Sequence, residues 1–155
     1  MRLLVLSLLL AGVPALAQSE PPIGVDDPVK LHAALRAMGF APDALDLSGS
    51  PSTVITSNDS RYWVVLGGCT DKKGCKTLMI GSTFNDASPT LDWINKQNES
   101  FDLLKVWRND KGQLSYAVQV PTGGITRPQL RGLIDGLNAS SAQLAQDAID
   151  AKLVK

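Results

Sequence analysis

The side chains from which most catalytic and metal centres are built are scarce here. There is one histidine, His32, two cysteines, Cys69 and Cys75, and two glutamates, Glu20 and Glu99. A structural zinc site takes about four nitrogen or sulfur ligands, which one His and two Cys do not supply. A Ser–His–Asp or Cys–His device has only His32 to draw on. That residue stands beside Leu31 at the border of a helical apolar stripe, with no partner that the sequence can name. No H-E-x-x-H, G-x-S-x-G or phosphate-cradling glycine loop occurs. Gly67-Gly68 reads as relief in a strand near the cysteines, and Gly123-Gly124 as a turn into the last helix. No cofactor is implied. An excess of one charge is also missing, with Lys+Arg and Asp+Glu at 15 each. The basic residues are scattered apart from Lys72-Lys73, so no field is present to hold nucleic acid.

Long hydrophobic runs are absent except at the start of the chain. Arg2 precedes an apolar stretch, Leu3 to Leu10, broken only by Ser7 and continuing to Val13, and Ala15-Leu16-Ala17 supplies small residues for a signal peptidase. Residues 1–17 are therefore expected to be a secretory signal, cleaved to leave Gln18. A membrane anchor is the other reading, but spanning takes about 20 apolar residues, and this run is shorter and interrupted by Gly12 and Pro14. No cysteine follows the run until Cys69, which disfavours lipid attachment. Loss of Arg2 leaves 14 basic residues against 15 acidic. No later stretch is apolar enough to span a bilayer, so a soluble periplasmic protein is expected. With 44% hydrophobic and 19% charged residues, the remainder has the balance of one globular domain. An extended arm over 18–27, marked by Pro21-Pro22 and Gly24, leads into a domain over 28–155.

The two cysteines flank Thr70-Asp71-Lys72-Lys73-Gly74, which has turn chemistry. Val64-Val65-Leu66 before them and Thr77-Leu78-Met79-Ile80 after them read as strands. A short turn between paired strands brings Cys69 and Cys75 within disulfide reach, and an oxidising compartment closes the pair. The spacing is wider than the C-x-x-C of a redox site.

Along the chain, Asp27 caps a helix that has Pro28 in its first turn, Leu31, Ala34, Leu35 and Met38 on one face, and Gly39 at its end. Leu45 to Pro51 is a loop with room for a short strand. Thr53–Thr56, Arg61–Leu66 and Lys76–Phe84 form an antiparallel meander, the first pair joined by Ser57-Asn58-Asp59-Ser60. Ser88 is the expected cap of a second helix, with Pro89 in its first turn and its end near Asn98. A hairpin follows: Leu103–Arg108, the turn Asn109-Asp110-Lys111-Gly112, and Gln113–Val120. A type I turn with a glycine bulge pairs Asn109 with Gln113. A slip by one would set Trp107 opposite Leu114, but the preferred register sets Val106 opposite Tyr116 and Leu104 opposite Val118. Lys105 and Trp107 then fall on the other face. Thr126 and Gln129 form a capping box for a last helix reaching about Lys152. Leu130, Leu133, Ile134, Leu137, Ser141, Leu144, Ala145 and Ala148 make its stripe. At ~40 Å it is long enough to overhang a small domain or pack on a partner. The order α-β-β-β-α-β-β-α predicts an α+β fold with a five-stranded antiparallel sheet.

Several residues invite functional readings. Trp107, beside Lys105, is a candidate recognition residue, since large aromatics on open faces are enriched in binding hot spots; the competing reading puts it in the core under a helix. Asn98 shares a helix face with Ile94. A buried amide needs hydrogen bonds, so Asn98 either bonds a neighbouring strand or, with Asn95, faces a ligand. Gly132 and Gly136, one turn apart, allow a close backbone approach, either by the domain's own sheet or by a second copy in a homodimer.

Taken in order, Tyr62-Trp63-Val64-Val65, Cys69, Cys75, Ile94-Asn95-Lys96-Gln97-Asn98, Phe101, Asp110-Lys111-Gly112 and Gly123-Gly124-Ile125 resemble the YbjN-domain family of bacterial sensory transduction regulators. Gln97 departs from the pattern, standing where an aromatic is expected. The resemblance implies a fold similar to the type III secretion chaperones, which share this element order and are commonly dimeric. It implies a binding or regulatory role towards a peptide or protein, and it brings no catalytic residues. The alternative is a small-molecule hydrolase or another enzyme with an unfamiliar site, which requires a deep pocket with at least two polar groups of displaced pKa. Mass spectrometry of the protein from its native envelope is expected to find Gln18 at the N-terminus and no thiol reactive before reduction.

Overall fold

The computed structural model of the chain describes residues 20–154. The leader expected over 1–17 and the first two residues of the arm lie outside the described residues. Helix α1 (Pro28–Ala37) is followed by strands β1 (Ser52–Ser57), β2 (Ser60–Gly67) and β3 (Thr77–Phe84). Then come α2 (Leu91–Ser100), β4 (Leu104–Arg108), β5 (Leu114–Pro121) and α3 (Arg127–Asp150). The fold is α+β, with all five strands in one antiparallel sheet of order β1-β2-β3-β5-β4.

Local chemistry accounts for most of these elements. The Asp27 carboxylate accepts from the backbone of Val29 and Lys30, satisfying two of the amides that a helix start leaves without partners. Gly39, at φ +87°, lets the chain leave α1. Asn58 and Asp59 both take positive φ, the geometry of a two-residue hairpin turn matched to strand twist. In the second hairpin Asn109 N donates to Gln113 O while Gly112 sits at φ +79°, which gives the expected turn and bulge. Val106 pairs with Tyr116, and Leu104 with Val118. The Thr126–Gln129 capping box is formed in both directions. The loop before β1 supplies a single bridge, Asp46 to Ser52.

The alternation in the strands sends Ile55, Tyr62, Val64, Leu66, Leu78, Ile80, Val106, Tyr116 and Val118 to one face. These residues form one core cluster with Leu31 and Leu35 of α1 and Leu130, Ile134, Leu137 and Leu144 of α3. Two buried phenols lie within it. The Tyr62 hydroxyl donates to Asn138 Oδ1 at 2.8 Å and lies 3.1 Å from Ser141 Oγ, tying the sheet to the polar positions of α3. Ser141, read as part of the apolar stripe, is thus a buried hydroxyl with a partner.

Three expectations need correction. Helix α2 is capped by Thr90, not Ser88. Thr90 Oγ1 accepts from Trp93 N at 3.3 Å, whereas Ser88 N donates to Leu153 O, so the chain end holds the segment that includes Pro89 outside the helix. Helix α3 does not overhang. It closes at Asp150, Lys152 turns at φ +56°, and Val154 bridges back to Ala87. Gly132 and Gly136 do not face the sheet but are exposed. The reason is rotational, since Leu130, Ile134 and Leu137 take the inward positions of those turns.

Burial, and then the neighbouring Tyr62, push the Tyr116 phenol up to about 12. An unfolded tyrosine ionises near pH ~10. The neutral phenol's contribution to stability is therefore complete below pH 10 and is lost as pH rises from 10 towards 12. Thermal midpoints measured across this range are expected to fall, and to fall less steeply for Tyr116→Phe.

Candidate functional site

The second face of the sheet has no place in the core cluster. Its centre follows from one residue. Gly81 of β3 lies between Trp63 of β2 and Ala117 of β5. A Cβ at position 81 would collide with the carbonyl oxygen of Tyr116 and would stand 2.6 Å from Trp63 Cζ2 and 2.7 Å from Ala117 Cβ. Because glycine leaves that space empty, the Trp63 indole reclines across β3. Trp107 approaches from β4, where it pairs with Ser115, and the two rings meet with centroids 6.4 Å apart and planes tilted by 60°. Their separation suits an aromatic pair. Three strand spacings, ~14 Å, lie between β2 and β4, so the rings touch only by leaning over the small residues between them.

The surroundings are apolar and cationic. Val54, Val65 and Met79 are half-buried on this face, Trp107 is 37% exposed, and Leu103 at the start of the edge is 69% exposed. Lys105 pairs with Ala117 and is exposed. Arg61 forms an ion pair with Asp43 at 2.7 Å, both side chains well exposed. Thr83 Oγ1 and Ser115 Oγ are hydrogen-bonded to each other at 2.9 Å. Trp107 and Lys105 are therefore together on the open face, and the reading that placed Trp107 in the core is set aside.

Asn95 and Asn98 do not join them. Asn95 is exposed on α2. The Asn98 amide donates to Val106 O at 2.9 Å, and its oxygen accepts from Val106 N at 2.8 Å. It thereby stands in for a sixth strand at the middle of the β4 edge, and the ligand-facing role does not hold. The β1 edge is capped likewise: Asp43 N donates to Val54 O at 2.8 Å, and Asp46 and Ser52 exchange two backbone bonds. The loop that does this is pinned by Thr53 Oγ1 and His32 Nε2, each 2.9 Å from Asp43 O. His32 thus has a structural partner. Such caps keep sheet edges from pairing with foreign strands.

Cys69 and Cys75 are joined in a disulfide just beyond the paired ends of β2 and β3. Cys75 is buried, with its N–H on Asp26 O and its carbonyl accepting from Thr122 Oγ1. The staple closes the β2–β3 connection, and the two hydrogen bonds of Cys75 tie it to the arm and to the chain entering α3. On α2, Gln97 is 6% exposed and its Oε1 has no partner. An unpaired buried carbonyl costs about 1–3 kcal/mol, a cost that an aromatic at this position avoids.

Trp63, Met79 and Gly81 were not singled out as site residues from the sequence. Two signals existed: Trp63 alternates with the inward Tyr62 and Val64, and a glycine inside a strand marks a close approach.

No protein-family model matches the chain, and no curated protein matches it. A crystal structure of an uncharacterized protein from Methanothermobacter thermautotrophicus is similar, with a TM-score of 0.57 at 11% identity. The match covers 81% of this chain and 98% of that one. At that identity the likeness shows the fold alone. Among the described residues, no helix is long and apolar enough to cross a membrane.

Gly81→Ala is expected to destabilise the domain by about 1–3 kcal/mol through overpacking. The Trp63 indole should be pushed off β3, and red-shifted tryptophan emission in the native baseline, with a lower thermal midpoint, will report both effects.

Proposed function

We propose that the domain is a non-catalytic binding or regulatory module of the bacterial periplasm. It holds a peptide or protein partner on the open sheet face centred on Trp63 and Trp107. The observation that carries this reading is the aromatic pair itself: two large rings, tilted against each other over the small residues Gly81 and Ala117, on a face that no core residue claims. Aromatic side chains of this kind combine large contact area with little conformational freedom to lose, which is why they dominate binding hot spots. Both sheet edges are capped near their centres, which disfavours recognition by strand addition and favours recognition through the face.

The resemblance to the YbjN-domain family supports a regulatory role, and the disulfide is compatible with an oxidising compartment. The two groups with displaced protonation, Asp46 and Tyr116, give no support to a hydrolase. Asp46 lies in an exposed turn, where the Ser48 backbone and then its side chain hold the carboxyl below its usual value. Tyr116 is in the core on the opposite face.

The test is site-specific photocrosslinking in the native envelope. A benzophenone side chain at Met79 is expected to yield discrete adducts, and one at the exposed α3 residue Gln143 is expected to yield none. Trp107→Ala should reduce the Met79 adducts at least tenfold while leaving the thermal midpoint within a few degrees. Adducts that ignore Trp107→Ala, or that appear equally from Gln143, contradict the proposal.

A further inference from the structure

The chain as a whole is neutral, but its sheet is not. None of the five strands contains an aspartate or glutamate, whereas they carry Arg61, Lys105 and Arg108. On the open face the cations are Arg61, already engaged by Asp43, and Lys105, exposed beside Trp107. An occupant of this face meets a pair of indoles and, next to it, an ammonium group.

We infer that the partner is an extended peptide segment that seats a large apolar side chain on the Trp63–Trp107 pair and an acidic side chain against Lys105. This rests on the binding reading above and specifies its chemistry. Trp107 and Lys105 are two residues apart on one strand, so their side chains leave the same face ~7 Å from each other. An extended ligand repeats that spacing between its own residues i and i+2. The segment is therefore of the form apolar-x-acid, or acid-x-apolar when it runs the other way. A second copy of the same face is disfavoured because it offers Lys105 no free carboxylate: the acid at its margin, Asp43, is already engaged by Arg61. A phosphate polymer or lipid surface is disfavoured by number, because such binding grows with the count of cations engaged, and on this face Arg61 is already paired with Asp43, which leaves Lys105.

The experiment uses the chain from Gln18 onward with its disulfide intact. It is applied to an array of immobilised twelve-residue peptides in which one large apolar residue and one Asp or Glu are placed at every spacing, with Lys and Gln replacing the acid as controls. Binding is expected to be strongest for the i, i+2 spacing, and to fall at least tenfold when Gln replaces the acid. Lys105→Glu should lose the acidic peptides tenfold or more and gain the Lys-containing set. Trp107→Ala should lose both, and Trp107→Phe should keep most of the binding. Loss with Trp107→Ala but no preference for acid overturns the inferred chemistry and leaves the binding face standing. No peptide binding, or binding indifferent to Trp107→Ala, overturns both. Stronger binding to phosphatidylglycerol vesicles than to any peptide, with the same dependence on Lys105, overturns the peptide assignment.

Discussion

A hydrogen atom where other residues carry a side chain sets the shape of this molecule's open face. Gly81 sits at the middle of the middle strand, and any Cβ there would strike backbone as well as side chains. Its absence lets the Trp63 indole lie down across β3 and meet Trp107 from the far edge. The burial of Ala117 on an otherwise uncovered face agrees with this arrangement, since its pairing neighbours are Gly81 and Lys105, and the Trp63 indole reaches towards it over Gly81. An upright tryptophan would leave a ridge, whereas a reclining one leaves a platform.

The two faces of the sheet are thereby put to different uses. The inner face holds the tyrosines and aliphatic residues that build the core with α1 and α3, and its polar atoms find partners in Asn138, Ser141 and Ser57. The outer face carries indoles, a methionine, valines and cations without a covering layer. Both edges are occupied, one by the Asn98 amide and the other by the loop carrying Asp43 and Asp46. The disulfide closes the β2–β3 end, and the hydrogen bonds of Cys75 to Asp26 and Thr122 hold the hairpin bearing Trp63 and Gly81 to the rest of the domain. What remains available on the sheet is one surface, aromatic at its centre and cationic at its margin.

Much of this was legible in the sequence where the signals are local. The Asn109 to Gly112 turn favoured one β4–β5 register over a one-residue slip, the register that the strands adopt, and it put Lys105 and Trp107 on the same side. The cysteine flanks announced the staple, and the Thr126–Gln129 box announced the start of α3. What was not legible depends on distant partners. Thr90 caps α2 because the chain end at Leu153 takes the backbone of Ser88. The pairing of β3 with β5, which brings Trp63 and Trp107 together, joins segments separated by a helix and another strand, and no turn chemistry specifies it. Asn98 was open to two readings, a bond to a neighbouring strand or a ligand-facing amide, and the placement of β4 beside it decides for the first. Of the two uses open to Gly132 and Gly136, packing on the sheet is ruled out by helical phase, because the neighbouring leucines and isoleucine hold the inward positions.

The central claim is that the face bearing Trp63 and Trp107 is open to solvent in the free protein. Hydroxyl-radical footprinting of the isolated chain over a wide concentration range tests it most directly. The account predicts rapid oxidation of Trp107, Met79 and Leu103 at every concentration, with Tyr62 and Tyr116 protected throughout. Protection of Trp107 and Met79 to the level of the two tyrosines would show the face already covered and would contradict the account.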